Sequence, residues 1–310
     1  MSNSIKIGIP RALLYHKYFT MWEEFFKELG CEVVVSPDTN QQILKEGVRL
    51  AVDESCLSLK IFLGHVNFLK DKVDYLFLPR IVTPRSREST CVKFWAISDI
   101  VRNTIPGIEV IDYTVDVKNF IFEFPEMFKV GWKFSKNPLR IFWAYIKGKE
   151  KLEKKHNKEL WEQWELIKNN KDNRPNVLIV SHPYTTYDAY LGQPIVDSLK
   201  KQGMNVLLSD VVDYKKSRKL VKNITTDLYF TYNKEIVGSI EYYKGHIDGI
   251  LFLMTFPCGP DALVIDLCQN KIKDVPVVVI SLDELQAEAG LKTRLESFSD
   301  ILKMRKKKNG

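Results

Sequence analysis

No apolar run in this chain is long enough to span a bilayer, and its opening, MSNSIKIGIPR, lacks the apolar stretch of a secretory signal. Both absences point to a cytoplasmic protein with no membrane association. There is no Gly-x-x-x-x-Gly-Lys-Ser/Thr loop and no Gly-x-Gly-x-x-Gly, so neither a nucleotide triphosphatase nor a dinucleotide site is indicated. Cysteine is scarce: five residues, an odd number, with no Cys-x-x-Cys pair. That composition disfavours structural disulfides, a tetrahedral zinc site and a thioredoxin-like dithiol, and it favours reduced thiols or metal ligation. No nucleic-acid recognition motif accompanies the basic residues, so nucleic acid is not an expected partner.

What is present is a globular chain, 45% hydrophobic and 27% charged, whose 310 residues exceed what one core usually serves. The net charge of +7 gathers in the lysine runs 147–158, 215–222 and 304–308, which read as solvated helix faces. Apolar spacing predicts strands at 5–9, 32–35, 74–78 and 108–111. They alternate with helices at 14–29, 39–52, 57–69 and 92–102. Strand–helix alternation implies a parallel sheet covered on both faces, and this first lobe ends near Asp116. Residues 117–172 break the pattern with an aromatic stretch, 120–146, and a charged helix from 150 to 171. Packing against the lobes accounts for the aromatics; the alternative is a subunit contact, under which the chain would be a homodimer.

From residue 173 to 310 the first grammar returns. Strands are expected at 177–180, 205–208, 249–254 and 275–280. Helices are expected at 192–202, 211–221, 233–244, 260–270 and 284–303. The predicted fold class is therefore α/β: two doubly wound parallel-sheet lobes, 1–116 and 173–310, with a cleft between them and a helical connector, 117–172.

In open α/β sheets ligands sit beyond the carboxyl ends of the strands. Cys258, in Pro257-Cys258-Gly259-Pro260, follows such a strand. Cys91 follows another through the polar loop 79–90, and Cys56 stands in DESCLSLK before the helix at Leu57. All three are expected at helix N-termini, where the macrodipole favours a thiolate. Singly, each is as well explained by packing. Jointly they admit a cluster held by three thiolates, one short of the usual four, with one iron left open. Cys31 and Cys268 fall at the far sheet end and inside a helix, and are expected to be packing residues.

His182, after a strand in SHPYTTYDAY, is either a proton donor or a satisfied loop histidine. Arg11 either binds an anion or forms a surface ion pair. Asp53 and Ser55 read as helix caps. His16, His65, His156 and His246 are ungrouped and take no assignment.

Five stretches carry a resemblance: GIPRALLYHKYFTMWEEFFKELGCEVVVS, ESCLSLKIFLGHV, VDYLFLPR, PCGPDALV and SLDELQAEAGLKTRLESF. They resemble the activase-related proteins (DUF2229) of the 2-hydroxyacyl-CoA dehydratase superfamily, over both lobes. The resemblance implies two Rossmann-like lobes and an iron–sulfur cluster, either a 4Fe-4S cluster with three cysteine ligands or a double-cubane cluster. By motif the implied ligands are Cys56 in ESC, Cys258 in PCGPD and Cys91 after the third strand. The loop RIVTPRSREST before Cys91 departs from the family pattern. The resemblance also implies a separate cluster-containing ATPase that injects a low-potential electron, in an anaerobe-type metabolism. It extends to a small-molecule or acyl-CoA-like substrate, although no feature that binds an acyl-CoA tail is evident and the chain is shorter than a dehydratase subunit. The rival expectation is a two-lobed binding module that closes on a small ligand without redox chemistry.

Overall fold

The computed structural model describes residues 4–285 and 288–309. The chain divides into two compact units, Met1–Lys155 with Tyr229–Thr231, and His156–Leu228 with Tyr232–Gly310. No helix among the described residues is long and apolar enough to cross a membrane.

The first unit holds strands β1 (Lys6–Ile9), β2 (Glu32–Val35), β3 (Tyr75–Thr83) and β4 (Val110–Asp116). They pair in parallel in the order β2-β1-β3-β4. Around them lie α1 (Tyr15–Glu28), α2 (Gln41–Leu50), α3 (Leu57–Leu69), α4 (Val92–Trp95) and α5 (Ile97–Thr104), then α6 (Glu123–Trp132). The second sheet has β5 (Asn176–Val180), β6 (Asn205–Leu208), β7 (Gly249–Thr255) and β8 (Val277–Leu282), parallel and in the matching order β6-β5-β7-β8. β5 and β7 are buried at every residue, as central strands of a sheet covered on both faces must be. The α/β class and the two Rossmann-like lobes are therefore as expected.

Three local differences have physical causes. β3 does not stop at Leu78 but runs through Pro79 and Arg80 to Thr83. Leu76 donates its N–H toward the β4 side, to Glu109 O at 2.8 Å, so by alternation the Pro79 nitrogen faces the β1 side. There the last β1 pairing is Gly8 with Leu76, and the missing N–H costs no ladder bond. The helix expected over 92–102 breaks at Ala96 into α4 and α5, where Trp95 Nε1 is tied to Thr90 Oγ1 at 3.2 Å. The helix expected over 211–221 is α10 (Tyr214–Leu220), which starts later because the Asp213 carboxylate caps Lys215 and Lys216 N–H.

The segment after β4 holds α6 and then α7 (Pro138–Lys168), one helix of 31 residues. Its first part belongs to the first unit and the rest, from His156, to the second. The aromatics here divide. Phe134 packs on Phe26 and Tyr75, and Trp164 joins the core under the second sheet. Phe120, Trp143 and Trp161 are exposed, contrary to the packing expectation. The second unit continues with α8 (Pro183–Thr186), α9 (Gln193–Lys201), α10, α11 (Thr231–Tyr242), α12 (Gly259–Lys271) and α13 (Glu288–Asn309). The expected start of the last helix at Glu284 runs through residues 286–287, which lie outside the described residues.

The lobes share more than strand order. Asp74 Oδ2 accepts Lys6 N–H at 2.7 Å, and Asp248 Oδ2 accepts Asn176 N–H at 2.8 Å, so each first strand is anchored by the acid that precedes the third. At the other sheet end Ser36 Oγ accepts Arg11 N–H at 2.9 Å and Ser209 Oγ accepts Ser181 N–H at 3.1 Å. In both lobes a glycine lets the helix before the third strand touch the backbone of the helix before it. A methyl at Gly64 would overlap the Ile43 carbonyl oxygen of α2, and one at Gly238 the Ser217 carbonyl oxygen of α10. Gly47 on α2 is equally close to the Lys60 carbonyl.

Gly64→Ala is expected to destabilise the first unit by about 3 kcal/mol, the upper range for overpacking, because rigid backbone cannot yield. Urea unfolding followed by circular dichroism measures it. A change below the scatter of the method would show that α2 and α3 can separate without cost.

Candidate functional site

Each of the three cysteines expected at a helix entry is found there, and each is partly exposed. Cys56 is the residue before α3, with extended backbone, and its carbonyl accepts Leu59 and Lys60 N–H at 2.9 and 3.1 Å. No side chain caps α3, which corrects the reading of Asp53 and Ser55 as caps. The N-terminal end of α3 places the positive end of its macrodipole beside the thiol.

Cys91 precedes α4, whose four residues carry little macrodipole; its position is set by the loop instead. Thr90 N–H bonds Val82 O at 3.0 Å and Ser89 Oγ bonds Val82 O at 3.1 Å, folding the loop back along β3. Ser89 then pairs with a distant segment. Its N–H donates to Tyr229 O at 3.2 Å, and its carbonyl accepts Thr231 N–H at 2.8 Å.

Cys258, in the second unit, follows a cis Phe256–Pro257 bond and precedes α12. Gly259 is the first helical residue and Pro260 the second, one place later than expected, still within the turn whose N–H groups have no intrahelical acceptor. A Cβ at Gly259 would meet nothing within 4 Å, so space is open beside the thiol.

The sequence reading missed what Cys258 is bonded to. Asp261, in the first turn of α12, is 6% exposed. Its Oδ1 accepts His182 Nε2 at 2.9 Å and Asn233 Nδ2 at 2.7 Å, and its carboxylate also bonds the Cys258 side chain. Burial pushes this carboxyl up, yet the His182 charge and the three hydrogen bonds outweigh it and hold the pKa below the ordinary aspartate value. His182 is buried before α8 and stacked on Tyr184 at 4.9 Å, and its Nδ1 has no hydrogen-bond partner among the described residues. The sequence carried no signal for it, because His182, Asn233 and Asp261 lie far apart in the chain.

Cys31 and Cys268 are buried. Burial pushes their thiols up to about 11 and about 12 respectively, which keeps both protonated and suits packing. Arg11 is held by its own lobe: Nη1 lies 2.5 Å from Asp38 Oδ1 and Nε bonds Ser36 O at 3.1 Å. That is the ion pair rather than a free anion site. His65 is fully buried with Nε2 2.9 Å from Thr39 Oγ1, and burial, then His16 and Arg11, lower its pKa to about 3. His16 is lowered to about 4, by burial first and then by Arg11.

Cys56 and Cys91 belong to the first unit, and Cys258, with His182, to the second. Among the described residues no three or more His, Cys, Asp or Glu side chains form a group that could hold a metal ion. Each thiol by itself is the soft donor that a thiophilic metal prefers, and open space lies beside Cys258.

Fold and site together define a two-lobed α/β protein with thiols at its helix entries. The chain belongs to the family described as CoA enzyme activase uncharacterised domain (DUF2229), whose profile matches residues 6–212. Cys56, Cys91 and His182 lie inside that match and Cys258 beyond it. A search of curated proteins finds no match. Among solved structures, the SBP FpvC of P. aeruginosa in complex with Ni2+ is similar at 11% identity and TM-score 0.30, over 99% of this chain and 98% of that one. A Cd-bound periplasmic metal binding protein from candidatus Liberibacter asiaticus is similar at 11% identity and TM-score 0.29, over 96% and 99%.

Two outcomes are expected. Asp261→Ala strands His182 and Asn233 in the interior and should cost about 3–5 kcal/mol in urea unfolding, whereas Asp261→Asn, which keeps an acceptor, should cost less. Equal stabilities of Asp261→Ala and the parent would mean that the group is not buried in solution. The second concerns pH. A folded-state imidazole pKa of about 3 at His65 means that the unfolded chain binds the proton first, below its own value of 6.5. Stability should therefore fall as pH drops from 6.5, by about 3 kcal/mol at pH 4 for that one group. Unfolding free energies flat from pH 7 to pH 4.5 would contradict it.

Proposed function

We propose that this chain is a cytoplasmic iron–sulfur protein of the 2-hydroxyacyl-CoA dehydratase superfamily, acting in ATP-driven low-potential electron transfer or reduction. The observation that carries the reading is the division of the five cysteines. Three are accessible at helix entries, while Cys31 and Cys268 are buried and protonated. Membership of an activase family supports an enzyme partner and a CoA-linked chemistry. Cys56, Cys91 and Cys258 would hold the cluster, of 4Fe-4S or double-cubane type, and such a cluster supplies a low-potential one-electron couple. Gly259 leaves room beside Cys258, and the buried Asp261, His182 and Asn233 anchor the turn that carries it. The chain has no glycine-rich phosphate cradle with a Lys-Ser or Lys-Thr pair, so ATP is hydrolysed on a separate cluster-containing ATPase that delivers the electron. A small molecule, or an acyl-CoA-like one, is the electron's destination.

The test starts with anaerobic purification and iron and sulfide reconstitution. The parent should be brown, with iron and sulfide bound. Cys56→Ala, Cys91→Ala and Cys258→Ala should each lose iron, and Cys31→Ala and Cys268→Ala should keep the visible spectrum. A colourless parent after reconstitution supports the small-ligand binder instead. Full iron in any one of the first three variants removes that residue as a ligand. Mixing the loaded parent with an activating ATPase, reductant and ATP should reduce the cluster; ATP turnover by this chain alone would overturn the division of labour.

A further inference from the structure

The outer surface of the first unit carries more aromatic rings than its own packing accounts for. α6 is two-faced: Met127, Val130 and Gly131 are buried, whereas Phe124, Phe128 and Trp132, spaced four residues apart, lie on the opposite side. α7 begins the same way, with Ile141 and Ala144 buried and Phe142 and Trp143 exposed. The outward rings form one unbroken row. Trp132 stacks on Phe128 at 5.8 Å and Phe128 meets Phe124 at 6.1 Å. Phe124 then meets Phe142 at 6.0 Å, and Phe142 meets Trp143 at 5.9 Å. Trp132, Phe142 and Trp143 nevertheless remain 41%, 42% and 57% exposed. A contiguous apolar patch of this kind marks a contact with another body.

Charge decides which body. Residues 117–149, which hold the row, contain seven basic side chains and two acids. Both acids are taken by lysines of the same segment: Glu126 pairs with Lys129, and Glu123 with Lys149 at 3.0 Å. Lys118 and Lys133 are exposed, and Lys136 Nζ stands 5.3 Å from the centre of the Trp132 ring. Rings are thus interleaved with surplus positive charge. A second copy of the chain would set two such positive faces against each other. Protein interfaces favour arginine and are depleted of lysine, and six of these seven basic residues are lysine. Nucleic acid would need free ring faces to stack on, and Phe128 and Trp132 already cover each other. A bilayer bearing anionic headgroups fits on every count. Aromatic rings settle at the headgroup level, and lysine stems lie along apolar surface while their ammonium groups reach phosphate.

We propose that the outer face of α6 and the start of α7 is the seat for an anionic phospholipid surface, on which the protein lies. A face that lies on a bilayer needs no spanning helix, so the lack of an apolar run long enough to cross one does not bear on it. None of these residues is a proposed cluster ligand, and the face keeps its role whether or not iron is bound.

The experiment is sedimentation of the full chain with vesicles of phosphatidylglycerol and phosphatidylcholine, compared with vesicles of phosphatidylcholine alone. The parent should pellet with the anionic vesicles at low salt and be released as salt rises. Lys133→Gln/Lys136→Gln should bind about 25-fold more weakly, from about fivefold per lysine at an anionic surface. Trp143→Ser should bind about tenfold more weakly. Lys303→Gln/Lys307→Gln, which removes the same charge from exposed positions of α13, should bind nearly as the parent does. Tryptophan emission should shift to the blue on binding, and by less in Trp132→Phe/Trp143→Phe. Circular dichroism checks that each variant is folded. Equal binding to both kinds of vesicle, equal binding by the parent and Lys133→Gln/Lys136→Gln, or an equal loss in the α13 control would each overturn the proposal. So would a parent that stays in solution with anionic vesicles; if it then sediments as a dimer that Trp143→Ser splits, the face belongs to a second copy.

Discussion

A parallel sheet has one edge at which every strand ends, and that constraint organises each lobe. The chain must leave β1, β2 and β3 there and re-enter through a helix, so polar loops and helix entries collect at one rim. Ser36 and Ser209 tie neighbouring loops at that rim, and Asp74 and Asp248 close the opposite one. Cys91 and Cys258 inherit their places from this geometry, since each lies on the way out of a third strand. Thiol position is set by topology before any local preference acts.

Keeping Asp261 ionised inside the second lobe is costly, because a carboxylate in a low-dielectric interior loses its hydration. The fold offsets that cost with an imidazole from the entry of α8, an amide from α11 and the thiol of Cys258. Three elements separate in sequence are thereby joined at one atom group. A side-chain network of this kind fixes orientation more than it adds stability, and here one of the oriented groups is a cysteine.

The lobes were legible because buried parallel strands leave dense apolar runs. ILFLM and VLIV could hardly lie elsewhere. The N-cap places of Cys56 and Cys258 were legible from a helical period beginning just after each. The end of β3 was not, because a proline halts a strand in most contexts and only the free β1 side at Pro79 permits it. Arg11 was ambiguous until Asp38 and Ser36 O were seen to hold it. The Asp261 group was hidden because His182, Asn233 and Asp261 lie far apart in the chain and form no spaced motif. The acid before each third strand and the glycine in each packed helix were likewise seen to match only once the strands they serve were paired.

That alignment carries a history. Strand order, the acid before the third strand, the serine after the second and the glycine inside the packed helix recur in both lobes, the acid and the glycine at the same spacing from each other in each. Duplication of one half-length lobe would leave that pattern. An ancestor made of one such lobe, paired with its own copy, would have presented identical helix entries from both halves. Fusion of two copies into one chain would free each to change on its own, so that one unit can carry two of the three partly exposed cysteines and the other a single one.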